Sequence, residues 1–413
     1  MQLYKLLRHH GTTIHLPISL YLTRHMPEHD SPTMQFIQSA DELRAFCASV
    51  ANADYLAIDT EFVRDKTYYP QLCLVQIASN DAIACIDPLK IADLSALKAI
   101  LLNPKILKIF HAARQDLEVL YITLKCIPGP VFDTQLAATL LGLGEQIGYA
   151  NLVAHLLHVQ LGKQHTRADW EQRPLSQEQL DYAADDVRYL IQLYPIIAQQ
   201  LSALGRDNWL EDDLRALTCE ELYQTDLHTL WQRISGNQKL RRKQLAVLRE
   251  LTAWREQQAQ QLDKPRKWIL PDNLLLAIAT QAPASLQKLK SIRGLNDAII
   301  AKQGQAILAA VNTALALPES DWPELNKRRQ LDKEQEALVD SLMAIVKLKA
   351  NEHSINVSAI TSRNDLESLA SHDTNISLLT GWRRELVGNT LLAFLEGKHC
   401  LQYLNGRLEL TTR

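Results

Sequence analysis

The 413-residue sequence has six cysteines (Cys47, Cys73, Cys85, Cys126, Cys219 and Cys400) but no CxxC pair. That spacing excludes a disulfide frame or a zinc finger and fits reduced, buried thiols. No apolar run reaches the roughly 18–20 residues of a membrane-spanning helix. Net charge is also lacking: at −3, no whole-chain field draws the protein to nucleic acid, and any such surface must be local. Residues 1–33 carry basic residues and short apolar runs, without the order or the small-residue cleavage site of a signal peptide. They are read as a disordered or spurious extension. A cytoplasmic monomer with no membrane partner is expected. What is present is ordinary for a globular chain, 46% hydrophobic and 22% charged, with length for about two to four domains.

Regular patterning begins at Met34. A short strand leads to Ser39, which with Glu42 forms a capping box for a helix. The next stretch, YLAIDTEF from Tyr55 to Phe62, reads as a β-strand with two acids inside it. Alternation puts Asp59 and Glu61 on one face and Leu56, Ile58, Thr60 and Phe62 on the other. Two adjacent carboxylates on an apolar strand repel each other. A raised pKa, a basic partner or a bound cation would relieve them, and the strand itself contains no Lys or Arg.

Residues 71–79 and 82–88 read as a hairpin turning at Asn80-Asp81. A helix over 93–102, a strand over 106–110 and a helix from Ala112 to Leu124 follow. Asp116 lies about 70° from the centre of the stripe formed by Ala113, Leu117, Leu120 and Leu124. It is a shoulder acid, suited either to the mouth of a site or to a solvated boundary. Asp133 is placed to cap the next helix, or to stand beside a site. The polar segment 162–175 holds Lys163, Arg167, Arg173 and Trp170. It suits a phosphate backbone and a stacked base, or a loop anchored by its tryptophan. Ser176 opens one long helix through Ile197. Its geometry favours Asp186, about 85° from the apolar stripe, over the outward Asp185. Tyr182 stands one turn before Asp186.

Beyond Gln200 the pattern reads as helical to the end. Residues 211–226 hold six acids against Arg215 alone and read as a solvated face joining two domains. Residues 236–267 invert this, with nine Lys or Arg against three acids and clusters at Arg241–Lys243 and Lys264–Lys267. Between the clusters, LAVLRELTAWREQQAQQLD is amphipathic.

Four carboxylates and a tyrosine thus assemble: Asp59, Glu61, Asp116, Asp186 and Tyr182. Oxygen ligands of this kind suit two hard divalent cations acting on a phosphodiester. Here IDTEF, HAARQD and YAADD resemble the three motifs of the DEDD exonuclease superfamily. The Tyr182-x-x-x-Asp186 spacing resembles its tyrosine branch. FVRDKTYYPQLCLVQIA, FDTQLAA and RADWEQRPLSQEQLDYAADDV are similar to the bacterial ribonuclease D family. LRELTAWREQQAQQLDKPRKWILPD resembles an HRDC domain. The resemblance spans about 34–405.

The resemblance implies a ribonuclease H-like mixed α/β sheet with flanking helices, followed by all-α HRDC-type domains. Its expected boundaries are 34–205 for the exonuclease, 206–318 for a first HRDC domain with an acidic lead-in helix, 319–328 for a linker and 329–413 for a second, divergent HRDC-like domain. It implies two ions, Mg²⁺ or Mn²⁺. Asp59, Glu61 and Asp186 would hold the ion presenting water, Asp59 and Asp116 the second, and Tyr182 would orient that water. The implied reaction removes nucleoside 5′-monophosphates from RNA 3′ ends, above all those of tRNA precursors. Lys163, Arg167, Trp170, Arg242 and Lys267 would contact substrate. His111 would do so too, or serve as a hydrogen-bonded structural group. A DNA exonuclease with the same metals and a non-catalytic RNA-binding scaffold are the alternatives.

Overall fold

The computed structural model describes residues 32–162, 168–325 and 331–413. The expected extension therefore falls almost wholly outside the described residues, as do Lys163, Arg167 and the end of the linker.

The first part runs β1 (Met34–Ile37), α1 (Ala40–Ser49), β2 (Tyr55–Val63), β3 (Gln71–Ala78), β4 (Ile83–Ile86), α2 (Ser95–Leu102), β5 (Leu107–Phe110), α3 (Arg114–Leu124), β6 (Val131–Asp133), α4 (Thr134–Leu140), α5 (Tyr149–Leu157), α6 (Gln177–Arg188) and α7 (Leu190–Ala203). The strands form one sheet in the order β1-β4-β3-β2-β5-β6. β3 alone runs against its neighbours; the β1–β4, β2–β5 and β5–β6 pairs are parallel. The sheet is mixed, as its short hairpin and its helical crossovers require.

Strand alternation sorts the two faces. Leu56 and Ile58 pack with Leu117 and Leu120 of α3 on one side. Ala57 packs with Leu180, Ala183 and Val187 of α6 on the other. Of β2, only Tyr55–Ala57 pair with β5, so the acid-bearing half of β2 runs on past the end of β5. The start of α3 fills that corner.

Besides shifts of one or two residues at other ends, three elements depart from the sequence reading. α3 starts at Arg114 rather than Ala112 because Ala112 takes a left-handed φ of 60°. The helix expected over 177–197 is two helices, broken at Tyr189. The chain closes not on a helix but on a hairpin, β7 (His399–Leu404) and β8 (Arg407–Thr412). Its turn, Asn405-Gly406, has positive φ at both residues, the geometry that Asn-Gly favours.

The helical part begins with α8 (Glu211–Leu217). It continues with α9 (Arg242–Gln261), α10 (Arg266–Ile269), α11 (Asp272–Gln281), α12 (Leu286–Lys290) and α13 (Asp297–Ala316), which enclose a core of their own around Leu248, Leu251, Ile278 and Ile307. α14 (Lys333–Glu352), α15 (Val357–Ile360) and α16 (Arg363–Ala370) behave differently. Val339, Leu342 and Ile345 share one apolar cluster with Leu193, Ile197 and Leu201 of α7. The acidic segment 211–226 is more than a solvated face, because Asp213 pairs with Arg383 at 2.9 Å and Glu220 accepts the Tyr121 hydroxyl at 2.6 Å. Among the described residues, no helix is long and apolar enough to cross a membrane.

Candidate active site

β2 supplies Asp59 and Glu61, and α6 crosses the same face with Asp186. Carboxylate oxygens of these three half-buried residues lie within 4.8 Å of one another. Asp116, from α3 past the end of β5, lies outside that 4.8 Å group but near enough for its charge to act on Glu61 and Asp186. Sequence geometry placed it on a shoulder, but it is only 7% exposed. Its Oδ1 accepts the Thr60 hydroxyl at 2.5 Å. The later start of α3 puts Asp116 in the helix's first turn, where the N-terminal dipole favours an acid.

Electrostatically the cluster is frustrated. Burial pushes Asp59 up to about 7, against a hydrogen bond from the Thr60 N–H. Glu61 is raised to about 9 by burial and then by the charges of Asp59, Asp186 and Asp116. Asp186 is likewise pushed to about 9, by burial and then by Asp59, Asp185 and Asp116. Asp116 lies well above the usual carboxylate range, again from burial first and Asp59 second. Among the described residues, no Lys or Arg contributes to any of the four. An all-oxygen donor set with this unrelieved negative charge fits hard divalent cations.

Asp185, rejected on helical angle, pairs instead with Arg188. Tyr182 is half-buried one turn before Asp186, its ring 6.3 Å from that of Trp170.

Sequence reasoning missed two neighbours. Tyr149, from α5, donates its hydroxyl to the Asp185 carbonyl at 2.9 Å and receives the Leu190 N–H. It thus fills the break between α6 and α7, directly behind Asp186. Burial, then the charges of Asp186, Asp59 and Asp185, lift its pKa well above 10. Gln76 sits opposite Asp59 in the ladder, fully buried, and neither amide atom has a partner among the described residues. A polar residue inside the run LCLVQIA was the only sequence signal for it. Nothing local marks Tyr149.

The expected substrate contacts fare less well. His111 is a structural residue: Nδ1 meets the Thr134 hydroxyl and Nε2 the Ile147 carbonyl, both at 3.0 Å. Burial lowers its pKa. Trp170 is 3% exposed and packs with Leu175, Leu180 and Ala183. No base can stack on it without opening the core, so it anchors the loop. Arg173 is also structural, gripping Asp87 through two bonds of 2.7 and 2.8 Å. Asp133 does cap α4, and it also receives the N–H groups of Ala112 and Ala113. Arg242 donates to the Glu319 and Trp322 carbonyls and pairs with Glu324 at 3.3 Å, so it ties down the segment after α13. Lys267 is exposed.

A mixed sheet with one reversed strand, and acids converging from its middle strand and two helices, defines a 3′–5′ exonuclease domain. The 3′–5′ exonuclease family model matches residues 34–202, and the HRDC domain model matches 244–311. Ribonuclease D of Granulibacter bethesdensis is 37% identical over 386 residues, covering 92% of this chain and 97% of that protein. Ribonuclease D of Gluconacetobacter diazotrophicus is 39% identical over 373 residues, covering 90% and 95%. The crystal structure of Escherichia coli RNase D, an exoribonuclease involved in structured RNA processing, matches with a TM-score of 0.79 and 32% identity, covering 88% of this chain and 99% of that one. The chain belongs to the ribonuclease D family, and it is a 3′–5′ exoribonuclease.

Proposed function

We propose that the chain trims 3′ ends of structured RNAs, tRNA precursors above all, one nucleotide at a time, and acts as a cytoplasmic monomer. Asp59, Glu61, Asp116 and Asp186 would hold two divalent ions, Mg²⁺ or Mn²⁺, with Asp59 shared between them. The observation that carries this reading is the three-carboxylate cluster within 4.8 Å, with no basic partner among the described residues. When bound, such ions activate water and neutralise charge on the phosphodiester.

The chain's own groups do the rest. Glu61 and Asp186 face each other across the cleft, and the Thr60 hydroxyl keeps Asp116 turned toward Asp59. Tyr182, one helical turn before Asp186, is placed to orient the attacking water through its hydroxyl. Water attacks the terminal phosphorus, the 3′ oxygen of the preceding nucleotide leaves, and a nucleoside 5′-monophosphate departs. RNA support comes from the family and from the RNA-processing role of the E. coli protein.

The test uses matched 3′-tailed RNA and DNA oligonucleotides, with and without EDTA. RNA should be shortened faster, with 5′-monophosphate products and no activity in EDTA. Asp186→Asn should lose on the order of 10²–10³-fold in kcat while RNA still binds. Wild-type rates in that variant, or activity in EDTA, would refute the metal assignment. Faster cleavage of DNA would refute the RNA assignment.

A further inference from the structure

Seven tryptophans occur in the chain, and Trp268 alone is exposed, at 60%. It lies on α10. The Lys264 ammonium stands 5.9 Å from its ring centre, and Lys267, next to it in sequence, is exposed as well. An indole left in water beside two cations is poorly explained by folding, since a ring of this size is normally used for burial. The nearby Arg266 differs: it is committed to the buried Glu256 and lies 4.8 Å over the Tyr68 ring.

The patch is tied to the catalytic strand. The loop between β2 and β3 leaves two residues after Glu61, and the Tyr68 and Tyr69 N–H groups both donate to Asp263 Oδ1 at 3.0 Å. Tyr69 is 38% exposed, its ring 4.7 Å from that of Tyr68. Leu74, registered opposite Glu61, comes five residues after Tyr69. The chain therefore holds Tyr69 within about 18 Å of Leu74.

We propose that Trp268, with Lys264 and Lys267, is a docking platform for single-stranded RNA a few nucleotides upstream of the 3′ end being cut. A base stacks on the indole and the two ammonium groups meet the adjoining phosphates, the pairing that single-strand binders use. Tyr69, exposed on the loop that Asp263 holds, is the aromatic residue between this patch and β3 along the chain. At the other end of the basic stretch, Arg242 is committed to the Glu319 and Trp322 carbonyls and to Glu324. This inference rests on the reading of the chain as an RNA exonuclease.

The test compares Trp268→Ala, Trp268→Leu and Trp268→Tyr on a 3′-tailed RNA hairpin and on a trinucleotide too short to reach the patch. Ala and Leu should weaken binding of the tailed RNA about tenfold, raising its KM, while Tyr keeps wild-type affinity. The ratio of tailed to trinucleotide efficiency should fall by the same factor. Lys264→Ala and Lys267→Ala should each reduce the salt slope of binding by about 1. Unchanged tailed-RNA affinity in Trp268→Ala would overturn the platform, and so would wild-type affinity in Trp268→Leu. Loss of self-association in ultracentrifugation with RNA affinity intact would reassign the patch to a second copy. If the wild-type protein hydrolyses no RNA, the underlying reading fails, whichever way the variants behave.

Discussion

Asp59, Glu61 and Asp186 each retain protons to a higher pH when folded and metal-free, near 7, 9 and 9, than in the unfolded chain, near 4. Groups with raised folded pKa values contribute stability that is complete below the unfolded pKa and is lost as pH rises through the folded one. The protein in EDTA should therefore lose thermal stability steadily from about pH 5 to pH 9. Mg²⁺ reverses that trend by replacing protons on the same oxygens. At a hundred times its Kd it should restore about 2.7 kcal/mol at pH 8, with proton release on binding. Calorimetry at several pH values in EDTA and in Mg²⁺ checks this; a pH-independent midpoint in EDTA would mean that the acids are ionised without a counter-ion. Of these residues, the sequence made legible those whose placement follows from backbone geometry. Period-two alternation put Asp59 and Glu61 together, and the helical angle separated Asp186 from Asp185. His111 and Trp170 stayed open between substrate contact and a structural role for the opposite reason. What settles them is a partner elsewhere in the chain, Thr134 and Ile147 for the one and the packed face of α6 for the other.

Between α6 and α7 the helical ladder is interrupted at Tyr189. Pro195 lacks an N–H for the carbonyl four residues before it. The Tyr149 hydroxyl takes up the polar groups at the break, donating to Asp185 and accepting from Leu190. Helices kink where a side chain enters the ladder, and here the kink sets the last turn of α6, which carries Asp186. Tyr149→Phe keeps the ring and deletes the wedge. It should cost about 1–3 kcal/mol in stability and lower kcat while RNA affinity holds, because a small displacement of a catalytic group is amplified in rate. Unfolding curves and single-turnover rates decide it, and an unchanged kcat would reduce Tyr149 to packing. Elements whose signals are local were readable: the Ser39 and Ser176 capping boxes both form. The terminal hairpin also had a local signal, Asn405-Gly406 between alternating residues, but the surrounding helical composition masked it. At the break, Pro195 was the local signal, while the Tyr149 hydroxyl that fills it comes from α5 and left none.

How the parts are joined was the least legible, because it depends on contacts between residues far apart in sequence. Two junctions differ in kind. The C-terminal helices extend the core of α7, and there Gly142, at φ 75°, leaves no room for a side chain: a Cβ would lie 2.5 Å from the Ser354 carbonyl oxygen. Nearby, the buried Arg206 binds the carbonyls of Leu140 and His353. The junction of α9 and α10 with the β2–β3 loop is instead polar. Glu256, 1% exposed at its side chain, pairs with Arg266 and accepts the Tyr68 hydroxyl. Arg266 and Tyr68 together hold the Glu256 carboxyl below its usual range, against the pull of burial. A buried pair stripped of one partner leaves an uncompensated charge costing about 3–5 kcal/mol. Arg266 is itself partly exposed, so Arg266→Met should cost about 3 kcal/mol, at the low end of that range. The sign with pH follows. In the wild type, the depressed Glu256 pKa contributes stability above its unfolded value, lost as pH falls. In the variant, burial without Arg266 raises that pKa, so the deficit should be large at pH 8 and shrink toward pH 5 as Glu256 takes a proton. Adding Glu256→Gln to Arg266→Met should recover most of the loss at pH 8. Because the Tyr68–Asp263 contacts depend on the same docking, Arg266→Met should also speed proteolysis within 64–70. Equal deficits at the two pH values, with no change in cleavage, would show that the charge pair does not hold the helical domain to the catalytic strand.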